Sequence, residues 1–515
     1  MLDKADLVLH EGTVTGWPKS DSVAVADGRV SAVGRYDELK GLVGPQTRLI
    51  RLAGRTVAPG FVDSHIHFME GAAVAAGLSV VRCRTISDLL ADLRVAAGRT
   101  PPGNWLRAFG CDEALMRERR GPTCEELDQA VPKNPLRLRH QTLHASWLNT
   151  RAIRHLGIDR NDFKPPDGAY IVRDAGGSPS GLVVGMETWL SNKLPRVTQS
   201  ELETRVRNYS RELAASGITA ITDATVRNGA DEVKAIARLA ADGAVSQHVS
   251  MMLGADAIGG LPAIRQTAAA GGIRIAGIKF MDFVRWDKPR LVRVVATALE
   301  QGVDCAFHVT EVEELEVALD ALEQACDRVT LKAQESVVAR IEHGGLIPPE
   351  YPERIAALGA WVVTNPGFVY YRGVKYASEP GLLTYLYRVR SLLAAGVNMA
   401  ACTDAPVTPA RPLVAIASAA TRVSLEGHEI GREESIGLAE AFALFTTAGS
   451  RLARLGAGEI APGRLADLIV LPADPLTLQP AELLNLAVDL TIVGGRLVYE
   501  RGRPIAQGPA ANFPS

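Results

Sequence analysis

Two histidines one residue apart, His65 and His67, follow the apolar run APGFVDS. On a β-strand, side chains two positions apart point to the same face, so both imidazoles can bind one cation there. The pattern is a weak signal by itself, because paired histidines also occur solvated or packed in a core. A metal site is therefore indicated only if the chain supplies further ligands near this pair.

Further candidate ligands stand at the ends of other strand-like runs. Lys279 lies late in IAGIKF, and His308 ends VDCAFH. His343 ends VARIEH, and Asp404 ends VNMAACTD. Because chemistry in a parallel barrel gathers at the carboxyl ends of the strands, these side chains are expected to meet. Imidazoles and a carboxylate suit a divalent cation of the zinc type, and an open coordination position lets bound water ionise near neutral pH.

Lys279 is an unusual ligand, because a protonated ammonium does not bind cations. It would have to be neutral, or be converted by carbon dioxide into a carbamate whose two oxygens can bridge two cations. The alternative is a surface or ion-paired lysine, although lysine is seldom found in an apolar strand. The residues alone leave these possibilities open.

The elements that must position these residues show a βα rhythm. Short apolar runs such as GITAITDA, IRIAGIKFMDF and AWVVTN alternate with segments of helical period such as ELETRVRNYSRELAAS and VEELEVALDALEQAC. This alternation is typical of a parallel sheet covered by helices. So many βα units favour a closed (β/α)₈ barrel of the TIM type over an open doubly wound sheet.

Both ends of the chain are rich in β-prone runs. DLVLHEGTV and SVAVADGRVSAVG near the start have counterparts near the end in RLADLIVL and LTIVGGRLVYERGRPI, with turns that contain glycine. The helical segment AEAFALFTTAGSRLARLG closes the middle of the chain. The two ends are therefore expected to form one composite domain.

Composition and charge exclude several classes of partner. The 515 residues, 47% hydrophobic and 22% charged, suffice for a large barrel with an accessory domain. A net charge of −2, without long runs of one sign, argues against nucleic acid or an anionic membrane as partner. The start MLDKADLVLHEGTV lacks the character of an export signal, and no apolar stretch reaches the roughly 18 residues of a membrane span. A cytoplasmic protein with a small-molecule substrate is predicted.

Several motifs carry a family resemblance over nearly the whole chain. APGFVDSHIH, the Lys-bearing strand, RIEHGGLIPPE, TDAPVTP and GEIAPGRLADLIVL resemble the amidohydrolase superfamily. GPTCEELDQAVPKNPLRLRHQTLHASWLNTRAIRHLGI and SPSGLVVGME are similar to the branch called YtcJ-like or amidohydrolase family 3, which includes N-substituted formamide deformylases. The resemblance implies a (β/α)₈ barrel, a β-sandwich, a metal centre and hydrolysis of a carbon–nitrogen bond. We therefore expect the sandwich in residues 1–58 and 446–515, and the barrel in residues 59–445 with an insertion around 100–200.

The resemblance also implies how two divalent cations, expected to be zinc, would be bound. His65 and His67 would bind the more buried cation. His308 and His343 would bind the second one. Lys279, carboxylated on its side-chain nitrogen, would bridge the two.

Asp404 has two implied roles, as a ligand of the first cation and as the general base. The two cations would acidify a bridging water, Asp404 would take its proton, and the hydroxide would attack the carbonyl. Asp404 would later protonate the leaving nitrogen. His144, in TLHASWLN, resembles the substrate-side histidine of this branch and would bind the carbonyl oxygen. The alternative for His144 is a core histidine or one that orients a ligand.

The segment HVTEVEEL departs from the family pattern and keeps other functions open. It places Glu311 three residues after His308, and HxxE on a barrel strand also resembles metal-dependent deaminases, in which the glutamate shuttles protons to a ring nitrogen. A plainer interpretation puts Glu311 in the first turn of the next helix, where the helix dipole favours an acid. A non-catalytic binding protein is a third hypothesis, disfavoured because every ligand type is present.

The functional prediction is hydrolysis of a non-peptide amide: an N-substituted formamide, an acylated amine or a related cyclic amide. Trp286, Tyr370 and Tyr371, with Glu311, are candidate substrate contacts. NPGFVYYRGVKY, which holds the two tyrosines, is expected to be a substrate-facing loop or a buried hairpin. Large barrels of this family often pair, so a homodimer is expected.

Overall fold

The computed structural model describes residues 4–195, 197–329 and 337–503. Within these ranges the chain forms two compact units. One unit contains the chain up to Phe68 and from Val206 onward, and the other contains Met69–Arg205. Among the described helices, none combines the length and the apolar character that a membrane-spanning segment needs.

Strands are distributed along the whole described chain. In chain order they are β1 (Leu7–His10), β2 (Thr13–Val14), β3 (Ser22–Ala26), β4 (Arg29–Gly34), β5 (Arg48–Arg51), β6 (Thr56–Pro59), β7 (Phe61–Ile66), β8 (Leu78–Ser79), β9 (Leu106–Cys111), β10 (Leu136–His140), β11 (Ala145–Leu148), β12 (Tyr170–Arg173), β13 (Pro179–Val184), β14 (Ile218–Asp223), β15 (His248–Gly254), β16 (Arg274–Phe280), β17 (Cys305–Val309), β18 (Ala339–His343), β19 (Trp361–Thr364), β20 (Asn398–Ala401), β21 (Leu468–Leu471), β22 (Leu490–Val493) and β23 (Arg496–Glu500).

Helices connect most of these strands. Those described are Tyr36–Leu39, Phe68–Ala75, Ile86–Arg99, Cys124–Ala130, Thr150–Leu156, Glu187–Lys193, Gln199–Ala215, Ala230–Ala241, Leu261–Ala270, Lys288–Glu300, Val312–Cys326, Pro352–Ala357, Pro366–Ala377, Pro380–Leu383, Val389–Ala394, Pro412–Thr421, Leu438–Phe445 and Thr447–Leu452. Their sequences explain their placement. The helix Val312–Cys326, expected from its period, buries Leu315, Leu319 and Leu322 on one stripe.

The largest sheet is parallel and has eight strands in the order β7-β14-β15-β16-β17-β18-β19-β20. Every residue of β7 and β14 is buried, as expected for strands of a parallel sheet that is covered on both faces. After β20 the chain returns to β7, where the N–H of Asp404 donates to the carbonyl of His65 at 3.0 Å and that of His67 to the carbonyl of Ala405 at 2.8 Å. This nearly closed barrel, with helices between its strands, confirms the predicted (β/α)₈ fold.

Two smaller sheets in the same unit combine the two ends of the chain. One has the strand order β4-β3-β1-β5 and the other β2-β6-β21-β22-β23. Leu9 and Val23 of the first sheet share a hydrophobic core with Val470 and Ile492 of the second. Two sheets packed through one core are a β-sandwich. Antiparallel pairing of β6 with β21 joins the chain ends directly.

The strands and helices locate the domain boundaries. β6 ends at Pro59 and β7 starts at Phe61, beside the expected boundary between residues 58 and 59. At the other end, the helix Thr447–Leu452 packs against β7 and β20 of the barrel. The barrel therefore continues beyond residue 445, and the next strand of the sandwich is β21, which starts at Leu468.

The unit Met69–Arg205 has its own six-stranded sheet, in the order β12-β13-β11-β10-β9-β8. Its core includes Leu89, Leu93, Leu138 and Trp147. Two of these residues belong to the helix Ile86–Arg99, so the inserted unit begins well before residue 100. The expectation of an insertion around 100–200 therefore placed the start of this unit too late in the chain.

The segment NPGFVYYRGVKY is neither a loop nor a hairpin, and this expectation was wrong. It forms most of the helix Pro366–Ala377, directly after β19. Proline is tolerated in the first turn of a helix, because its missing N–H would have no partner there. Phe368 and Val369 are buried and Tyr376 follows about two turns later, as expected for one helix face.

A buried carboxylate ties the sandwich to the barrel within their common unit. Asp467, just before β21, is 2% exposed. Its Oδ1 accepts the N–H of Gly494 at 2.8 Å and lies 3.2 Å from Nε2 of His248, the first residue of β15. A buried acceptor with two partners contributes to stability chiefly because its loss leaves both partners unsatisfied.

We expect Asp467→Ala to lower the free energy of unfolding by about 1–3 kcal/mol, because two buried donors lose their acceptor. The measurement is urea unfolding followed by circular dichroism, with midpoints compared at equal slope. Asp256→Ala is the control, since that side chain is 99% exposed. Equal midpoints for the two variants would contradict the prediction.

Candidate metal centre

The structure places the six predicted ligands at or near the carboxyl ends of barrel strands. They are His65 in β7, His67 directly after β7, Lys279 in β16, His308 in β17, His343 at the end of β18 and Asp404 three residues after β20. The carboxyl ends of parallel strands meet at one rim of a barrel, and this is where such folds hold their chemistry.

Three of these residues form one cluster. Nε2 of His67 lies 3.2 Å from Oδ1 of Asp404, and Nε2 of His65 lies 3.6 Å from the same oxygen. The three donor atoms are all within 4.8 Å of one another. Two imidazole nitrogens and a carboxylate oxygen at this spacing are a donor set that fits a divalent cation of the zinc type.

His65 is oriented by a chain of buried polar groups. Its Nδ1 hydrogen-bonds Oε2 of Glu342, which is fully buried. Arg340 donates from Nε to Oε1 of Glu342 at 2.6 Å and from Nη2 to the carbonyl of Ser64 at 2.8 Å. Because Nδ1 of His65 is engaged by the carboxylate, Nε2 is the nitrogen directed at Asp404. Such partners commonly fix the tautomer of a metal-binding histidine.

A second pair of imidazoles adjoins the first cluster. Nδ1 of His343 lies 2.8 Å from Oδ1 of Asn365, which accepts its proton, and Nε2 of His343 faces Nδ1 of His308 at 3.1 Å. The ring centroids of His343 and His65 are 4.8 Å apart. Two ring nitrogens on one side offer ligands for a second cation beside the first.

Lys279 is the unusual group in this site. It is 2% exposed, and Nζ has no hydrogen-bond partner among the described residues. Burial lowers the pKa of Lys279 to about 8, although the carboxylates of Glu342 and Asp404 oppose the shift. A buried ammonium without a partner is costly, so the neutral amine is far more accessible near neutral pH than for a lysine in water. The neutral amine is the form that reacts with carbon dioxide, and an orphaned Nζ fits a site completed by a carbamate and cations.

Asp404 remains ionised despite its burial. Burial alone would raise its pKa, but the hydrogen bond from His67 and the charges of His343 and His65 outweigh it, and the pKa lies well below its usual range. The backbone of Asp404 has φ 57°, and that of His343 has φ 72°. Left-handed backbone at non-glycine residues is strained and occurs preferentially at functional sites.

Asp63 holds the segment that carries Asp404. Its carboxylate accepts the backbone N–H of Thr403 at 3.0 Å and the hydroxyl of the same threonine. Burial raises the pKa of Asp63 to about 7, against the hydrogen bonds from Thr403. The loop after β20 is thus fixed to β7 by side chains as well as by backbone.

Glu311 lies just beyond β17 and is the residue before the helix Val312–Cys326. Its side chain is exposed, and its backbone N–H donates to the carboxylate of Glu314 at 3.1 Å. Glu311 thus stands one position before the first turn in which the plainer interpretation placed it, still at the helix terminus where the helix dipole favours an acid.

The predicted aromatic contacts are engaged with other side chains. Trp286 packs edge-on against Phe280, with centroids 6.1 Å apart, and lies 4.5 Å from the guanidinium carbon of Arg290. Tyr370 and Tyr371 are partly buried in one helix, with their rings 5.1 Å apart. Their contact with a substrate stays a prediction.

His144 lies between β10 and β11 in the unit Met69–Arg205, where its carbonyl accepts the N–H of Gly185 at 2.9 Å. Its role beside the carbonyl of a substrate stays a prediction. Asp112, Glu113 and His140 form a possible metal cluster in the same unit. The N–H of Thr142 donates to Nδ1 of His140 at 2.9 Å, which puts the ring proton on Nε2, 3.1 Å from Glu113. Neither ring nitrogen of His140 then offers a lone pair to a cation.

Sequence analysis missed the residues that orient the imidazoles. Glu342, Arg340 and Asn365 were not predicted, although Arg and Glu alternate unusually inside the apolar run VARIEH. Charged side chains in a strand buried on both faces must find partners, and this was the available signal.

Comparison with known proteins identifies the family of the chain. The family model described as Amidohydrolase family matches residues 48–499. An N-substituted formamide deformylase of Arthrobacter pascens is 27% identical over 94% of this chain and 95% of its own length. A putative amidohydrolase YtcJ of Bacillus subtilis is 26% identical over 94% of this chain and 96% of its own.

Solved structures support the fold. An uncharacterized metal-dependent hydrolase from Pyrococcus horikoshii superposes with a TM-score of 0.70 at 20% identity, over 92% of this chain and 99% of that one. The family match spans strands of both the sandwich and the barrel, and it confirms the resemblance drawn from the motifs. The chain therefore belongs to the amidohydrolase family and is a hydrolase.

Proposed function

We propose that this hydrolase uses two divalent cations, both zinc, to cleave the C–N bond of a small non-peptide amide. The observation that carries the proposal is the orphaned Nζ of Lys279, buried beside two sets of imidazole nitrogens. A single-cation site would leave this amine without a function. Carboxylated on Nζ, Lys279 offers two oxygens, one for each cation.

The donor sets divide between the two cations. His65, His67 and Asp404 would hold one, and His308 and His343 would hold the other, with Lys279 between them. When bound, such cations polarise a carbonyl and lower the pKa of water toward neutrality. Glu342 and Asn365 keep the ring nitrogens turned toward this place. 

Asp404 is the group that moves the proton. Its carboxylate is ionised, and Oδ1 faces Nε2 of His67, so Oδ2 is the oxygen left to accept a proton from the attacking water. The protonated Oδ2 then returns the proton to the leaving nitrogen as the C–N bond breaks. Amide and water are converted into a carboxylic acid and an amine.

N-substituted formamides head the list of candidate substrates, followed by acylated amines and related cyclic amides. The support is the likeness to the formamide deformylase of Arthrobacter pascens along almost the entire chain. His144 is proposed as the group that binds the carbonyl oxygen. A homodimer in the cytoplasm is our further expectation.

The products distinguish this proposal from its alternatives. With an N-substituted formamide as substrate, we expect formate and a free amine in equal amounts, measured by chromatography. Ammonia released from an aminopurine, without cleavage of formamides, would instead favour a deaminase that uses His308 and Glu311. Neither product together with no bound metal would favour a non-catalytic binding protein.

We expect Lys279→Ala to lower the metal content from two cations per chain toward one, because the bridging ligand is lost. Elemental analysis of protein purified without chelators measures this. Bicarbonate in the growth medium should not restore the variant, whereas a short carboxylic acid should restore part of the second cation. Lys234→Ala, at an exposed position, is the control. Unchanged stoichiometry in the Lys279 variant would argue against a bridge.

We expect Asp404→Asn to lower kcat by about 10²- to 10⁴-fold, because the amide has the shape of the carboxylate but takes up no proton. Metal content should be largely kept, since an oxygen ligand remains. The measurement is initial rates on the formamide with metal analysis of the same sample. Asp256→Asn, on an exposed side chain, is the matched control. Retained turnover in the Asp404 variant would remove its assigned role.

A further inference from the structure

An aromatic side chain of the helix Pro366–Ala377 reaches the metal centre. The ring of Phe368 stacks on that of His343, with centroids 6.5 Å apart and an interplanar angle of 11°. Tyr387 meets Phe368 edge-on at 6.0 Å, and Tyr376 meets Tyr387 at 6.1 Å. These rings form a wall that begins at a predicted metal ligand.

Arg372 lies on this wall, one helical turn after Phe368. Its guanidinium carbon is 4.9 Å from the centre of the Phe368 ring, a cation–π contact. Its Nε and Nη2 are buried and have no hydrogen-bond partner among the described residues. The hydroxyl of Tyr376 hydrogen-bonds another part of the same guanidinium. Burying the two remaining donors without an acceptor is unfavourable, and arginine does not escape the cost by losing its proton.

Arg422 and Arg340, two fully buried arginines of this unit, show what a satisfied guanidinium looks like. Arg422 donates to the carbonyls of Ile430, Tyr387 and Leu386. Arg340 pairs with the carboxylate of Glu342. Arg372 forms no ion pair with a described acid, and its two vacant donors lie along one edge of the guanidinium. That edge is the one that binds a carboxylate through two parallel hydrogen bonds.

Tyr387 packs between the rings of Phe368 and Tyr376 in this wall. Burial raises the pKa of its phenol well above the usual value, Tyr376 and Asp404 raise it further, and the charge of Arg372 opposes the shift. Its backbone has φ 45°, held by its N–H to the carbonyl of Gly345 at 2.9 Å and by Arg422 at its own carbonyl. A strained residue that is fixed from both sides is typical of a ligand-binding wall.

We propose that Arg372 is the subsite for a carboxylate on the amide substrate, which makes N-formyl or N-acyl compounds of the amino-acid type the preferred class. This inference rests on the proposed function and narrows it. One aromatic ring, that of Phe368, separates Arg372 from His343. The carboxylate of the substrate therefore lies a few bonds from its amide, and not at the end of a long substituent. A neutral formamide would leave the two donors of the guanidinium unsatisfied.

The first test compares two substrates that differ only in the carboxylate, N-formylphenylalanine and N-formyl-2-phenylethylamine. We expect the wild-type enzyme to prefer the carboxylate in kcat/KM by about 10- to 100-fold, the size of a charge-assisted bidentate contact. Arg372→Met should shift this ratio toward one. Arg451→Met should keep the ratio, since Arg451 stacks similarly on Trp361 but is exposed and bonded to Asn398.

The second test does not require turnover. Calorimetry measures binding of 3-phenylpropanoate, which has the carboxylate but no amide, to the zinc-loaded protein. We expect binding about 10- to 100-fold weaker in Arg372→Met and unchanged in Arg451→Met. Arg372→Lys keeps the charge without the paired donors, so its affinity should lie between those of the wild type and Arg372→Met. This variant also serves as the test if the methionine variant does not fold.

The outcomes separate the two proposals. A wild-type enzyme without preference for the carboxylate, or equal binding of 3-phenylpropanoate by the wild type and the Arg372 variants, would overturn the subsite. Cleavage of neither formamide with binding that still depends on Arg372 would contradict the amide-hydrolase proposal and leave the subsite supported.

Discussion

The metal centre depends on the hydrogen bonds that close the barrel between β7 and the segment after β20. The N–H of Asp404 donates to the carbonyl of His65, and the N–H of His67 donates to the carbonyl of Ala405. The side chain of Asp63, in β7, accepts the N–H of Thr403. This closure brings a carboxylate from the end of the barrel onto two imidazoles from its beginning. It also accounts for the left-handed backbone of Asp404, because the loop must bend sharply to make both sets of bonds.

Around this closure, polar side chains are buried in complete pairs wherever they orient an imidazole. Glu342 sits between His65 and Arg340, and Arg340 continues to the carbonyl of Ser64, so that β18 and β7 are locked together. Asn365 plays the same part for His343. In a low-dielectric interior a satisfied network of this kind is rigid, whereas a half-satisfied one would be costly. Rigid imidazoles keep a binding site formed before a cation arrives.

Lys279 and Arg372 are basic side chains with buried nitrogen atoms that have no hydrogen-bond partner among the described residues, and their chemistry differs. Lys279 can give up its proton when buried, and the neutral amine is then open to modification. Arg372 keeps its charge under all ordinary conditions, so its vacant donors call for an anion from outside the chain. One exception therefore concerns the cations and the other the substrate. The ring of Phe368, which lies between His343 and Arg372, joins the metal centre to the proposed carboxylate subsite.

The sequence by itself determined the barrel, the composite β domain and the positions of the candidate ligands. Apolar runs that end in His65, Lys279 or His343 are local patterns, and strand ends in a parallel barrel share one rim. The tertiary structure alone decided the partners of those ligands, because Glu342 and His65 are 277 positions apart and meet only across the closed barrel. It also decided that NPGFVYYRGVKY is a helix and that Glu311 sits exposed before another, since packing against the barrel outweighs the local loop signals there. The position of a residue at the end of a strand determines whether its side chain reaches the carboxyl-end rim of the barrel. Only its neighbours in the folded protein determine which of its atoms remain free to bind a cation.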